Sequence, residues 1–187
     1  MNAAAGVPAP GMDVLLSAQE IQAKVRELAA QIDRDYAGKD LMLLCILRGG
    51  VIFLADLMRA LTVPHTVEFM AVSSYDTGAR ESSGPVRITF DLASSISGRD
   101  VLVVEDIIDS GHTLASVLEI LQARHPRSLE VCVLLDKHER REVTIPIRYR
   151  GFSIPDRYVF GFGLDIDQYY RNLPHVAALK EKPAGPA

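Results

Sequence analysis

Apolar and polar residues divide the first half of the chain into segments of different period. Ile21, Val25, Leu28, Ala29 and Ile32 recur three and four apart, behind a Ser17-Ala18-Gln19-Glu20 start and ahead of Gly38. That spacing predicts an amphipathic helix opened by a capping box. Leu41 to Leu47 is a continuous apolar run, the pattern of a strand buried on both faces. Beyond Arg48-Gly49-Gly50, Val51, Leu54, Leu57, Met58 and Leu61 predict a second helix, and Val67 to Val72 a second strand. The periodicity then stops. Ser73 to Gly84 is polar, Ser- and Gly-containing, and reads as a mobile loop of the kind used as a lid.

Val86 to Leu92, Val101 to Glu105 and Glu130 to Leu135 predict further strands, with a helix on Leu114, Val117, Leu118 and Leu121 between the last two. Strand, turn and helix in succession predict an α/β domain built on a mainly parallel sheet. At 187 residues, 48% hydrophobic and 24% charged, the chain suits one domain with a full core. Residues 1–11 read as a disordered tail and 12–187 as a single domain. Cys45 and Cys132 each lie inside an apolar run, as buried reduced thiols do. No apolar stretch approaches the roughly 20 residues of a spanning helix, and the start lacks the features of a signal peptide. A cytoplasmic protein is expected. The net charge of −4 supplies no general field for nucleic acid or an anionic membrane, so neither is an expected partner.

The chemistry concentrates in Val101 to Leu114. An apolar strand delivers Glu105 and Asp106, then Asp109, and Ser110-Gly111-His112-Thr113 opens the next helix. In an open α/β sheet, ligands sit beyond the carboxyl ends of the strands, where these groups fall. The N–H groups of a helix start, with the Ser110 and Thr113 hydroxyls, suit a phosphate monoester. Carboxylates beside a phosphate cradle make sense when the ligand also carries a ribose diol and a divalent metal. Taken alone, Asp-Ser-Gly-x-Thr favours a solvated turn; the strand and paired acids ahead of it favour a site.

This stretch resembles the phosphoribosyl-pyrophosphate signature of the type I phosphoribosyltransferases, and the chain from about 41 to 176 resembles their hypoxanthine-guanine branch. The resemblance implies a mainly parallel sheet flanked by helices, with a core of about 38–150 and a small hood formed by the chain ends, about 12–37 and 151–180. It implies purine salvage: transfer of the phosphoribosyl group of phosphoribosyl pyrophosphate to a 6-oxopurine, hypoxanthine or guanine, with Mg²⁺. Glu105, Asp106, Asp109, Ser110, Gly111, His112 and Thr113 would hold the ribose and 5′-phosphate, with Asp109 also accepting the purine N7 proton. Arg48, Gly49 and Arg171 would bind pyrophosphate, and Ser74 and Tyr75 would begin the lid. Lys137, Tyr158, Val159 and Asp165 would contact the base, and Asp165, Glu105 and Asp106 the metal. The resemblance also implies a cis peptide between Leu47 and Arg48, and a homodimer or homotetramer. Arg48 stands where many relatives have lysine, and Tyr158 where phenylalanine is common. A lone lysine at a strand end, such as Lys137, is ordinarily solvated. Two other readings stand beside this one: a regulator on the same fold, and a transferase for another base such as xanthine or a pyrimidine.

Overall fold

The computed structural model describes residues 12–74 and 86–179. The tail expected at 1–11, Tyr75 and most of the expected lid lie outside the described residues. The chain runs β1 (Met12–Leu16), α1 (Ala18–Asp35), β2 (Leu41–Leu47), α2 (Val51–Ala60), β3 (His65–Ser74), β4 (Val86–Phe90), β5 (Asp100–Ile108), α3 (His112–Gln122), β6 (Ser128–Asp136), β7 (Tyr149–Ser153), β8 (Val159–Phe160) and β9 (Val176–Leu179).

Strands β4-β3-β2-β5-β6-β7 form one sheet, parallel throughout except for β4 on its edge. Because β2, β5, β6 and β7 are parallel, their carboxyl ends share one edge of the sheet. The apolar runs alternate between two cores. Leu41, Leu43, Cys45, Leu102, Val104, Cys132 and Leu134 face α1 and α2. Met42, Leu44, Ile46, Val101, Val103, Val131 and Val133 face α3. Burial on both faces is why these strands show no polar alternation. Cys45 and Cys132 are buried and free, and desolvation pushes the Cys45 thiol up to about 12.

Helix α1 starts at the capping box, with Ser17 and Glu20 reciprocally bonded, and buries Ile21, Val25, Leu28, Ala29 and Ile32. It packs against α2 and β7 within the core of the large sheet. The chain ends meet in a small antiparallel sheet, β1-β9-β8, and β7, which runs through 151, belongs to the large sheet. Helix α2 turns differently from expectation. Phe53, Leu54 and Leu57 are buried, whereas Val51 and Met58 are more than a third exposed. Phe53 is the bulkiest apolar side chain of that helix, and turning it inward rotates the apolar arc by part of a turn. Among the described residues no helix is long and apolar enough to cross a membrane.

Candidate active site

The edge where the parallel strands end gathers the chemistry. Arg48 follows β2, Asp109 follows β5, Lys137 follows β6 and Asp156 lies shortly after β7. A cavity of about 200 Å³ opens there, lined by Glu105, Asp109, Ser110, Gly111 and Thr113 with apolar Ile107, Ile108 and Leu114. Gly111 caps α3 at φ +94° with no side-chain bond, and a helix start of this kind suits an anion. A left-handed cap favours glycine. A Cβ there would also stand 3.0 Å from Val143 and Ile145 and 3.1 Å from Arg141.

Those neighbours belong to a segment that braces the turn. Glu142 and Val143 donate their N–H groups to the Ser110 carbonyl at 3.0 and 3.4 Å, and His112 Nε2 meets Glu142 at 2.8 Å. Arg141 ties the segment to Asp136, a fully buried carboxylate also met by Arg150 Nε at 2.9 Å. Ser110 to Thr113 thus form a turn held from below, with the His112 ring turned to Glu142.

Glu105 and Asp106 are held in an unusual electrostatic state. Burial, then the neighbouring Asp106, raises the Glu105 carboxyl well above its ordinary range, and Glu105 Oε2 is buried with no hydrogen-bond partner. Burial also pushes Asp106 up to about 6, against the opposing pull of the Ile107 N–H and Arg171. Both carboxyls are short of positive charge. Asp106 rests on Gly49, where a Cβ would come within 1.7 Å of Asp106 Oδ2. Only glycine fits.

The Leu47–Arg48 peptide is cis. Arg48 Nη1 donates to Gln168 Oε1 at 3.0 Å, and Arg171 Nη2 donates to the same oxygen at 3.2 Å. Arg171 also donates to the Gly163 carbonyl at 2.7 Å and pairs with Asp165 Oδ1 at 2.7 Å. The other Asp165 oxygen accepts from the Gln168 N–H at 2.8 Å. Gly163, at φ +102°, lies so near Gly49 that a Cβ would meet the Gly49 carbonyl oxygen at 2.1 Å. Arg48, Gly49, Asp165 and Arg171 therefore form one group, with Asp165 engaged by Arg171 and Gln168.

On the other side of Asp109, Lys137 is only 7% exposed. The solvated lysine expected at this strand end is corrected: carboxylates on either hand make its burial affordable. Lys137 Nζ donates to Asp109 Oδ2 at 3.3 Å and lies 3.6 Å from Asp156 Oδ1. Arg140 Nε is 3.0 Å from Asp109 Oδ1, and its Nη1 is 3.6 Å from Asp156 Oδ1. Tyr158 is 58% exposed, its hydroxyl donating to the Asp165 carbonyl at 3.3 Å, so its ring is open to a ligand. The Val159 side chain is buried in the core. Arg140, Asp156 and Gln168 were not expected. Asp156 and Gln168 sit outside helices and strands and Arg140 in a single 3-10 turn, His138–Arg140, where no period marks a residue as facing anything.

Among the described residues no three or more His, Cys, Asp or Glu side chains could hold a metal by themselves. Mg²⁺ commonly takes one or two carboxylates and completes its shell with water and substrate oxygens. The unpartnered Glu105 oxygen beside Asp106 fits that mode.

Comparison with known proteins agrees with this geometry. The phosphoribosyl transferase domain family matches residues 11–168. The hypoxanthine phosphoribosyltransferase of Salmonella typhimurium is 49% identical over 167 residues, 88% of this chain and 93% of that one. The hypoxanthine-guanine phosphoribosyltransferase of Mycobacterium tuberculosis is 49% identical over 172 residues, 89% of this chain and 85% of that one. A crystal structure of a Staphylococcus aureus hypoxanthine phosphoribosyltransferase superposes with a TM-score of 0.87 at 46% identity, covering 90% of this chain and 91% of that one. The Ser110 to Thr113 turn, the paired acids and the glycine contact all lie inside the matched length, and by these matches the chain belongs to the phosphoribosyltransferase family, in its hypoxanthine-guanine branch.

Proposed function

We propose that this protein is a purine-salvage enzyme that transfers the phosphoribosyl group of phosphoribosyl pyrophosphate to hypoxanthine or guanine, releasing pyrophosphate with IMP or GMP. The observation that carries the reading is the pairing of Lys137 Nζ and Asp109 Oδ2 at 3.3 Å beside the phosphate turn. A 6-oxopurine presents an acceptor, the 6-oxo group, next to a donor, the N7–H. A lysine ammonium has only donors and an ionised carboxylate only acceptors, so this pair is complementary to that edge.

In the reaction the purine N9 attacks the anomeric carbon, the bond from that carbon to the pyrophosphate oxygen breaks, and the N7 proton passes to Asp109. The ribose gains positive charge and the leaving group negative charge, so catalysis is largely electrostatic. Arg48 and Arg171 take the pyrophosphate, with the backbone at Gly49. Glu105 and Asp106 accept from the ribose hydroxyls, and Ser110 to Thr113 hold the 5′-phosphate. Tyr158 stacks on the base, and the main chain at Val159 is available to its C2 side.

Mg²⁺ belongs to this reading. Glu105 and Asp106 would hold it, joined by Asp165 once Arg171 turns to the substrate, and its charge would stabilise the departing pyrophosphate. Ser74, at the end of β3, and Tyr75 would begin a lid that keeps water from the donor. The enzyme would be cytoplasmic, as a homodimer or homotetramer. No observation favours a regulator or a transferase for another base. Pyrophosphate release from donor, hypoxanthine and Mg²⁺ tests the proposal, and excess chelator should stop it. Undiminished release in chelator would remove the metal, and no release with any 6-oxopurine would remove the function.

A further inference from the structure

Lys137, Asp109, Arg140 and Asp156 close into a ring of alternating charge, each cation touching both carboxylates at 3.0 to 3.6 Å. Three neighbouring strands supply it: β5 ends before Asp109, β6 before Lys137 and Arg140, and β7 before Asp156. Asp109 and Lys137 have been assigned to the base. Asp156 and Arg140 have no role in that assignment.

We propose that Asp156 is a specificity-determining positioning residue, which holds the Lys137 ammonium where it can read the 6-oxo group of the base. The inference rests on the base reading given under Proposed function. A nearly buried ammonium beside a single carboxylate is drawn onto it, and the two satisfy each other. Lys137 and Asp109 alone would then close the gap that the purine edge must enter. With Asp156 present, Lys137 keeps a counter-ion when the base displaces its contact with Asp109. Asp109 likewise keeps Arg140. The ring opens on one side only, and neither the buried Lys137 nor the half-exposed Asp109 is left without a partner.

Asp156 touches no reacting atom in this scheme, so its effect belongs in base affinity and base choice. Asp156→Asn keeps the shape of the side chain and removes the charge. It should raise KM for hypoxanthine on the order of tenfold or more and leave KM for phosphoribosyl pyrophosphate within about twofold. The hypoxanthine-to-adenine ratio of kcat/KM should fall about tenfold or more, because a displaced lysine no longer penalises a 6-amino group. Asp156→Glu keeps the charge and should retain the ratio within about threefold. This variant also decides the matter if Asp156→Asn fails to fold. A ratio unchanged in Asp156→Asn, with lower thermal stability, would make Asp156 merely structural and overturn the inference while leaving the base reading intact. Loss of the ratio in a folded Asp156→Glu would overturn it too. Equal use of adenine and hypoxanthine by the unmodified protein would remove the base reading and this inference together.

Discussion

The two halves of the site are built in opposite ways. The half proposed to hold the ribose and phosphate is one uninterrupted stretch, Glu105 to Thr113, whose strand end, turn and helix start follow one another along the chain. The half proposed for base and pyrophosphate is assembled from Arg48, Gly49, Lys137, Asp156, Tyr158, Gly163, Gln168 and Arg171, brought together by the order of the strands and the segments that follow them. The contiguous half owes its geometry to local backbone and one bracing segment. The assembled half depends on close approach between distant segments. Damage should therefore travel differently in each.

A matched pair of glycine substitutions breaks this comparison most forcefully. Gly163→Ala would force a Cβ to within 2.1 Å of the Gly49 carbonyl at a backbone φ of +102°. Backbone cannot give way there, and a cost of about 2–4 kcal/mol with loss of nearly all activity is expected. Gly111→Ala is strained as well, at φ +94°, but its nearest atoms are side-chain atoms of Val143, Ile145 and Arg141 at 3.0–3.1 Å. These can shift, so about 1–2 kcal/mol and a smaller rate loss are expected. Thermal melts and steady-state rates of both variants would check this; equal effects would erase the distinction.

Asp109 lies where the halves meet, next to the phosphate turn and paired with Lys137 and Arg140. Asp109→Asn should lower kcat by about 10²–10⁴, as the loss of a general base does. The turn remains, so donor affinity should change little. Normal turnover at saturating donor, with weakened donor binding, would make Asp109 a binding residue instead.

The acids of the contiguous half yield a smaller effect of unusual sign. Asp106 has its pKa raised to about 6 in the fold, against about 4 in an unfolded chain. Between those values the folded form binds more protons than the unfolded one. Stability therefore falls as pH rises from about 4 to about 6, and the penalty is full above that window. Asp106→Asn should raise the stability of the chelator-treated protein at pH 7.5 by about 1–3 kcal/mol, or several degrees in Tm. Near pH 4 the gain should vanish, even though the variant is a poorer enzyme. A variant less stable than the parent at pH 7.5 would show that the Asp106 charge is satisfied in the fold.

The same contrast decides how much the sequence reveals. Strands β2, β3, β5 and β6 announce themselves as apolar runs, and the α1 face is legible residue by residue, because burial imposes a period. The turn at Ser110 to Thr113 is equally legible as a strand end passing into a helix start, since it is written in a few adjacent residues. Strands β1, β7, β8 and β9 were not visible. They are short, and in the small sheet β1 joins β9 across the length of the chain. Lys137 looked like a solvated strand-end residue because Asp109 and Asp156 lie 28 and 19 positions away in the sequence. Gln168 carries no period and no family mark, and its bond to Arg48 spans 120 positions.

The central claim, that Lys137 and Asp109 together read the edge of a 6-oxopurine, is tested most directly by kcat/KM for hypoxanthine and adenine. Both should be measured at saturating donor and Mg²⁺, in the unmodified protein and in Lys137→Ala. A buried ammonium facing a 6-amino group sets donor against donor with little water to relieve it. The unmodified protein should prefer hypoxanthine by a factor on the order of 10³–10⁴, and Lys137→Ala should bring that preference to about tenfold or less. Comparable values for the two bases in the unmodified protein, or an undiminished preference without Lys137, would contradict it.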